Sequence, residues 1–528
     1  MKSEQKLYDP SEQYDEQLEE EEFVRFESKL ADRHERREQK KDDELKKQKE
    51  ISEIKLTKQE KKDVKKKAEK IQKYYTYDLW NHLFDKVSYY NELGGQALFH
   101  VLLGQLMSHF KIYKKSGRYI DWRVHFFWIQ NSRSGKGEGV SFMIRAAKKL
   151  EKLKRVNGTW MMQTIDIFKG GTSTDAAWVN DYDMIIKKGR RVVNMKDGKP
   201  VIKAGIIEVK DIVYFEEART FLEPGQHKKE LPEICMTAME PIGSLKNRWT
   251  KKLKDYDLEV PTESSSSFIF TTRPLQNFKG YIAYSGLFQR CMVVIREVDT
   301  NLRKLMNKKD AVSSVAIDGE IEDFERNFEE LLVEIRKIVE FAHKNQIGFN
   351  QDEAEQLQAY LIEKVEWFEK YLDDNVTNQE HKSILETFVG GYKNQILIIA
   401  HHAAVMRMSN EVGLEDIEYA FQFVKETFYE LVKWISITIR PEREIKEENI
   451  ELKKYISSLL KIRSPRGKND IARHLAKKFD WTIPGAYYHI NKLLEGKFSF
   501  LESSEDKSVF LRKDDISPES YKENPELE

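Results

Sequence analysis

Lys136 stands in the run Ser134-Gly135-Lys136-Gly137, which follows a largely apolar stretch, Val124–Ile129, and precedes a helical pattern. A lysine between glycines just past a buried strand suits phosphate chemistry. Backbone N–H groups of Asn131, Ser132, Arg133, Ser134, Gly135 and Gly137 would face phosphate oxygens, with a helix N-terminus behind them. The Lys136 ammonium would reach the β- and γ-phosphates, and Glu138 completes the candidate loop in the first helical turn. Set against the pattern G-x-x-x-x-G-K-[ST], Gln130 takes the first glycine position and Gly137 the hydroxyl position. The side chain that would help hold Mg²⁺ is therefore missing there. A glycine-rich turn that only caps a helix is the alternative for this stretch taken alone.

Further along, Ile212–Phe215 is a short apolar run ended by Glu216 and Glu217. Parallel α/β sheets carry their chemistry at strand C-termini. Glu216 is the candidate to organise Mg²⁺, and Glu217 the candidate to polarise an attacking water. A second buried run, Phe268–Phe270, ends in Thr271, Thr272 and Arg273. A polar group there, Thr272 in particular, can sense the γ-phosphate and help place the water. Arg290 precedes a last apolar run, Met292–Ile295. An arginine in that place can project into a neighbouring copy and stabilise transition-state charge.

The succession of Lys136, Glu216-Glu217, TTRP and GLFQRCMVVIREVD resembles the ring-forming AAA+ ATPases. It is most similar to MCM replicative helicases and to the helicase parts of virus and plasmid primase-helicases. MCM proteins read like IDE, AANP and LLSRFDLIF at the corresponding stretches. The segment ILIIAHHAAVMRMSNEVGLEDIEYAFQFV is similar to their lid, and the likeness spans roughly residues 124–425. It departs at Gln130, Gly137 and Glu216, and Arg273 stands where MCM proteins carry Asn. The family's amino-terminal DNA-binding barrel and zinc module are not visible. The resemblance implies an α/β fold, an AAA+ P-loop ATPase core with a helical lid. It also implies ATP and Mg²⁺ at the subunit interfaces of a homo-hexameric ring acting as a replicative helicase on single-stranded or forked DNA. Lys393 falls where the family places a second phosphate-sensing cation, an ordinary surface lysine being the competing reading. A non-translocating AAA+ initiator, loader or regulator is the alternative function, and a scaffold that has lost hydrolysis is a third.

These residues need a large frame, and 528 residues suffice for several domains. A charged helical or disordered extension covers residues 1–72, where acidic Glu16–Glu22 gives way to lysine-rich runs. The ATPase core with its leading helices covers 73–300, and the lid region 301–440. Residues 441–513 hold three short helical patterns and a hairpin, the winged helix-turn-helix pattern, followed by an acidic disordered tail at 514–528. Tyr487, Tyr488, Asn491 and Lys492 are the candidate DNA contacts of that domain, although many such domains bind protein. Two other basic stretches are candidates to grip a strand. Lys246, Arg248, Lys251 and Lys252 form one, and Arg190, Arg191 and Lys199, around an Asp197-Gly198 hairpin signal, form the other. An edge hairpin with protective lysines is the bland alternative for the second. The extension and the winged domain are also candidate docking points for other replication proteins.

Lys+Arg and Asp+Glu both number 89, so net charge points to no partner. Two cysteines without CxxC spacing, Cys235 and Cys291, argue against a disulfide framework or structural zinc. The adjacent His401 and His402 diverge by about 100° on a helix and read as packing residues. With no apolar leader and no run long enough to span a bilayer, the expected location is cytoplasmic, in a host cell if the source is viral. The sparse likeness fits a virus, plasmid or other mobile element.

Overall fold

Five short apolar runs form one parallel sheet: β1 (His125–Gln130), β2 (Ile167–Lys169), β3 (Ile212–Phe215), β4 (Ser267–Thr272) and β5 (Cys291–Arg296). Strands buried on both faces read as continuous apolar runs rather than alternating ones. Each residue of β1, β3 and β4 is indeed buried. The computed structural model describes residues 56–71, 74–132, 134–156, 159–170, 178, 181–182, 184–187, 190–197, 199–203, 205–218, 231–244, 250–252, 257–259, 264–274, 286–296, 298–315, 319–438, 452–456, 458–460, 466–479, 482–494, 501–503 and 508–511. The strand order is β5-β1-β4-β3-β2. Gln130 pairs with Arg296, Ile129 with Thr272, Phe270 with Phe215, and Tyr214 with Lys169. Strand C-termini therefore share one edge, and the order reverses at β1, where such sheets open a crevice.

The helices are α1 (Lys58–Ile71), α2 (Tyr75–Val87), α3 (Glu92–Leu106), α4 (Lys136–Lys148), α5 (Leu231–Ala238), α6 (Leu287–Arg290), α7 (Thr300–Ser313), α8 (Glu320–Lys344), α9 (Ala354–Asn375), α10 (Gln379–Met406) and α11 (Leu414–Thr438). In α3 every residue from Gly94 to Leu106 is buried, as expected of a helix apolar on all sides. α8 buries the stripe Phe328, Leu331, Leu332, Ile335, Ile338, Val339 and Ala342, which recurs at helical spacing.

In the extension, Lys58–Ile71 is helical and packed, because Val64, Ala68 and Ile71 recur on one face of α1 and are buried. The amphipathic run IEDFERNFEELLVEIRKIVEFAHK lies in α8, with α7 before it. VSFMIRAAKKLEKL reads in sequence as one continuous helix, but α4 stops at Lys148, and Glu151–Val156 pairs with Thr159–Thr164 in a hairpin. Asn157-Gly158 is the hairpin signal that was overlooked. Lys152 fixes the hairpin, since its buried ammonium meets Asp211 at 3.0 Å, Ser265 at 2.9 Å and Ser108 at 3.1 Å. The sequence KGGTSTDAAWVND reads as the start of a helix with Thr172 or Ser173 as N-cap, and both of these lie outside the described residues.

A hydrogen-bond chain of fixed direction ties α3, α10 and α11 together. His402 Nε2 lies 3.1 Å from the Trp122 carbonyl oxygen, which only accepts, so this nitrogen carries the proton. His402 Nδ1 must then accept from His100 Nδ1–H, 3.2 Å away. His100 Nε2 accepts from the Tyr419 hydroxyl at 3.2 Å, and Tyr419 accepts from Gln96 Nε2 at 3.1 Å. Burial pulls His100 down to about 3 and His402 well below the ordinary histidine range. The native state thus binds fewer protons than the unfolded chain. The stability held here is complete above the unfolded value near 6.5 and is lost as pH falls, by about 1.4 kcal/mol per ring for each unit. Urea midpoints measured from pH 8 to pH 5 should drop below about pH 6.5, and less steeply in His100→Phe/His402→Leu. Equal slopes would reject this account. His401 and His402 are both buried, consistent with packing roles, and Cys235 and Cys291 are buried free thiols.

The chain divides into two compact units, Met1–Ile435 and Ser436–Glu528. In the second, residues 452–456 and 458–460 are helical, followed by α12 (Lys468–Phe479) and α13 (Ile483–Leu494). Arg466–Gly467 and Leu501–Ser503 both pair with Ser508–Leu511, giving a three-stranded antiparallel sheet. Its core is Leu452, Ile456, Leu460, Ile471, Ala472, Leu475, Ala486 and Ile490. Among the described residues, no helix is long and apolar enough to cross a membrane.

Candidate active site

The Lys136 loop leaves β1 at the shared C-terminal edge and enters α4 through Gly135. Gly135 has φ 84°, a left-handed conformation that glycine adopts without strain. Gly139, one turn on, lets α4 approach α2; a Cβ there would meet Phe84 Cζ at 2.8 Å. Arg133 lies outside the described residues, whereas Asn131, Ser132, Ser134, Gly137 and Glu138 border the loop or its first helical turn.

Gln130 behaves unlike the glycine it replaces. It is fully buried, and its Nε2 donates to Asn91 Oδ1 at 2.9 Å and to the Ser134 carbonyl at 3.0 Å. Asn91 Nδ2 donates to the same carbonyl at 2.8 Å and to Ser88 Oγ at 2.9 Å. Ser88 Oγ donates to the Gly135 carbonyl at 2.8 Å. The turn between α2 and α3 thus braces the loop from behind. Sequence reasoning missed Ser88 and Asn91, because such a brace depends on contacts some 40 residues away that no local spacing announces.

Lys136 Nζ donates to the Gln130 and Asn131 carbonyls at 3.0 and 3.3 Å. Partial burial draws this ammonium below the ordinary lysine range, and the Glu217 carboxylate opposes that shift. Glu217 Oε1 accepts from the Thr272 hydroxyl at 2.8 Å. Thr272 is fully buried at the end of β4, so it fixes where Glu217 points. The hydroxyl thereby positions the carboxylate. Arg273 is exposed, with Nε 4.0 Å from Glu217.

Glu216 forms an exposed ion pair with Lys169, at the end of β2, at 3.1 Å. Lys169 was also missed; only the sheet order reveals that β2 lies beside β3. Exposed pairs of this kind contribute about 0–1 kcal/mol, so Glu216 remains available to a stronger cation. Among the described residues, no group of three or more His, Cys, Asp or Glu forms a metal cage. Mg²⁺ does not require one, since it is commonly held by one or two carboxylates together with nucleotide phosphates and water. The exposed Glu216 fits that donor set, and a side chain at Gly137 would meet nothing within 4 Å.

Two expected site residues lie elsewhere. Arg290 closes α6 just before β5, whose Cys291 pairs with His125 at the N-terminal end of β1. It is therefore separated from its own Lys136 by the length of the strand, about 17 Å at 3.3 Å per residue. Glu240 holds it at 2.5 Å, and it donates to the Gly286 carbonyl at 2.9 Å. Lys393 is exposed on α10, where Asn394 accepts from Lys114 at 3.0 Å and Gln395 donates to the Cys291 carbonyl at 3.0 Å. These anchors keep Lys393 at the N-terminal edge with Arg290 and away from the Lys136 loop of its own chain.

Of the basic stretches, Lys246 and Arg248 lie outside the described residues. Lys251 and Lys252 sit in Thr250–Lys252, which pairs with Asp257–Glu259 in the connection from β3 to β4. Arg190 and Arg191 belong to Arg190–Val193, which pairs back with Met184–Lys187 instead of forward across Asp197. The turn at Asp197, with φ 51°, joins the shorter pair Met195–Lys196 and Lys199–Pro200. On α13, Tyr487 packs against the core of its unit and is not a free groove contact, because its position falls on the apolar stripe with Ala486 and Ile490. Asn491 is exposed, and the backbones of Tyr488 and Lys492 lie in the same helix. No protein-family model matches the chain, and no curated protein matches it either.

Proposed function

We propose that this chain is an ATP-driven DNA-translocating motor of AAA+ type, an MCM-like replicative helicase that works as a ring. The observation carrying this reading is the meeting of Lys136, Glu217 and Thr272 at one edge of a sheet ordered β5-β1-β4-β3-β2. Lys136 exchanges two backbone carbonyls for nucleotide phosphates. Glu217, oriented by Thr272, polarises the attacking water. Mg²⁺, when bound beside Glu216, would neutralise charge on the phosphates. Arg290 and Lys393 sit at the opposite edge, which supports their acting on the nucleotide of an adjacent copy. The basic hairpins in the β2–β3 and β3–β4 connections would hold the strand. Three helices with a small antiparallel sheet support a winged-helix reading of the second unit, with Asn491 as a groove contact.

A nucleotide-driven switch that does not translocate is the second reading, favoured by Lys169 on Glu216 and by the missing hydroxyl at Gly137. ATP hydrolysis with and without single-stranded DNA, combined with strand displacement on a forked duplex, separates the two. The motor predicts DNA-stimulated turnover and displacement, and greater Mg²⁺-dependent turnover in Gly137→Ser, which has room for the hydroxyl. Nucleotide binding without turnover or displacement would establish the switch instead.

A further inference from the structure

A groove between α1, α9 and α11, with a cavity volume of about 470 Å³, lies apart from every residue of the site above. One wall is a row of lysines from α1: Lys58, Lys61, Lys62 and Lys65. Their i, i+3, i+4, i+7 spacing places them on one helical face, spread over about 10 Å of axis. Lys364 and Lys425 bring the lining to six lysines against two glutamates, an excess of four cations. Both glutamates are engaged. Glu418 is buried against Lys364 at 2.8 Å and accepts from the Tyr360 hydroxyl at 2.7 Å, and Glu363 meets Lys61 at 2.7 Å. Lys58, Lys62 and Lys65 are exposed and have no ion pair among the described residues.

The floor is aromatic. Trp367 and Tyr429 are half-buried, with ring centroids 5.6 Å apart, and Trp367 stacks on Tyr371 at 5.3 Å. Phe421 and Phe428 pack against Trp367, and Tyr371 packs against Tyr429 at 5.1 Å, so both rings are held in place with part of each surface left open.

We propose that this groove binds single-stranded nucleic acid, the α1 lysines meeting successive phosphates while Trp367 and Tyr429 stack with bases. Lysines are flexible point charges without the fork that fixes a single phosphate. A linear row of them suits a linear polyanion better than a compact one. Adjacent aromatic faces add stacking that tolerates any base, which is how strands are held without sequence preference. The inference does not rest on the ATPase reading, because no residue of the Lys136 site contributes to it. A translocating motor and a switch could both carry it.

The test uses the full chain and a fluorescent oligothymidylate, with affinity followed across a salt titration. Lys58→Gln/Lys62→Gln/Lys65→Gln should weaken binding by about tenfold or more and reduce the slope of log K against log salt by about 2, at about 0.7 per phosphate contact. Its melting temperature should be unchanged, since the three side chains are exposed. With 4-thiothymidine in the strand, cross-links should fall on peptides holding Trp367 or Tyr429. Lys136→Ala, which leaves the groove intact, should keep both the salt slope and the cross-links. An unchanged slope in the triple variant, or cross-links confined to other segments, would overturn the proposal. So would competition by inorganic tripolyphosphate as effective as that by the oligonucleotide at equal phosphate, which would point to a compact occupant.

Discussion

Glu217→Gln should leave ATP bound and slow its hydrolysis by about a hundred- to ten-thousand-fold, the usual worth of a positioned general base. Glutamine keeps an oxygen for the Thr272 hydroxyl, which donates to Glu217 Oε1 at 2.8 Å, so the end of β4 stays satisfied. What is lost is the negative charge that polarises water. Lys136→Ala should behave differently and lose nucleotide affinity as well as turnover. Its ammonium is already partly desolvated and held at 3.0 Å from the Gln130 carbonyl. Binding of a fluorescent ATP analogue together with single-turnover hydrolysis distinguishes the two phenotypes. Wild-type turnover in Glu217→Gln would remove Glu217 from the chemistry and assign activation of the water to another group.

The largest effect on stability should come from Asp121→Ala, at about 3–5 kcal/mol. Arg123 is fully buried, and Asp121 grips it in a fork, accepting from Nε at 3.0 Å and from Nη2 at 2.9 Å. The other guanidinium donors reach the carbonyls of Ala238 at 3.0 Å, Ser266 at 2.8 Å and Glu240 at 2.7 Å. Removing the carboxylate strands a buried cation and also deprives the Ile242 N–H of its acceptor, 2.8 Å away. Asp121→Ala/Arg123→Met should recover part of the loss, because the uncompensated charge is then gone. Urea denaturation of the three proteins measures this. A single variant within about 1 kcal/mol of wild type would show that water reaches the pair.

Much of the sheet was legible from sequence because its strands are buried on both faces and end in abrupt polar residues. Ile212–Phe215 followed by Glu216-Glu217, and Phe268–Phe270 followed by Thr271-Thr272, announce both the strand and the edge that carries chemistry. What escaped were the pairings made across the chain. Neither the hold of Asn91 on Ser134 nor the partnership of Lys169 and Glu216 has a local signature. For Lys393, a match of pattern fixes position along α10 but not which end of the sheet that turn reaches. The hairpin at Glu151–Thr164 was different, since Asn157-Gly158 stood in view and was outweighed by the helical pattern before it. In α1, three apolar residues among many lysines were enough to seat a helix, a signal that bulk composition conceals.

The double role of Glu240 joins two arginines with different tasks. Its carbonyl accepts a hydrogen bond from Arg123 in the core, and its carboxylate holds Arg290 at the rim. A shift of the buried guanidinium would therefore move the rim guanidinium with it. If neighbouring copies meet at that edge, the fit between them is set from inside each one. A core substitution such as Arg123→Lys would then alter assembly at the rim as well as lower the melting temperature.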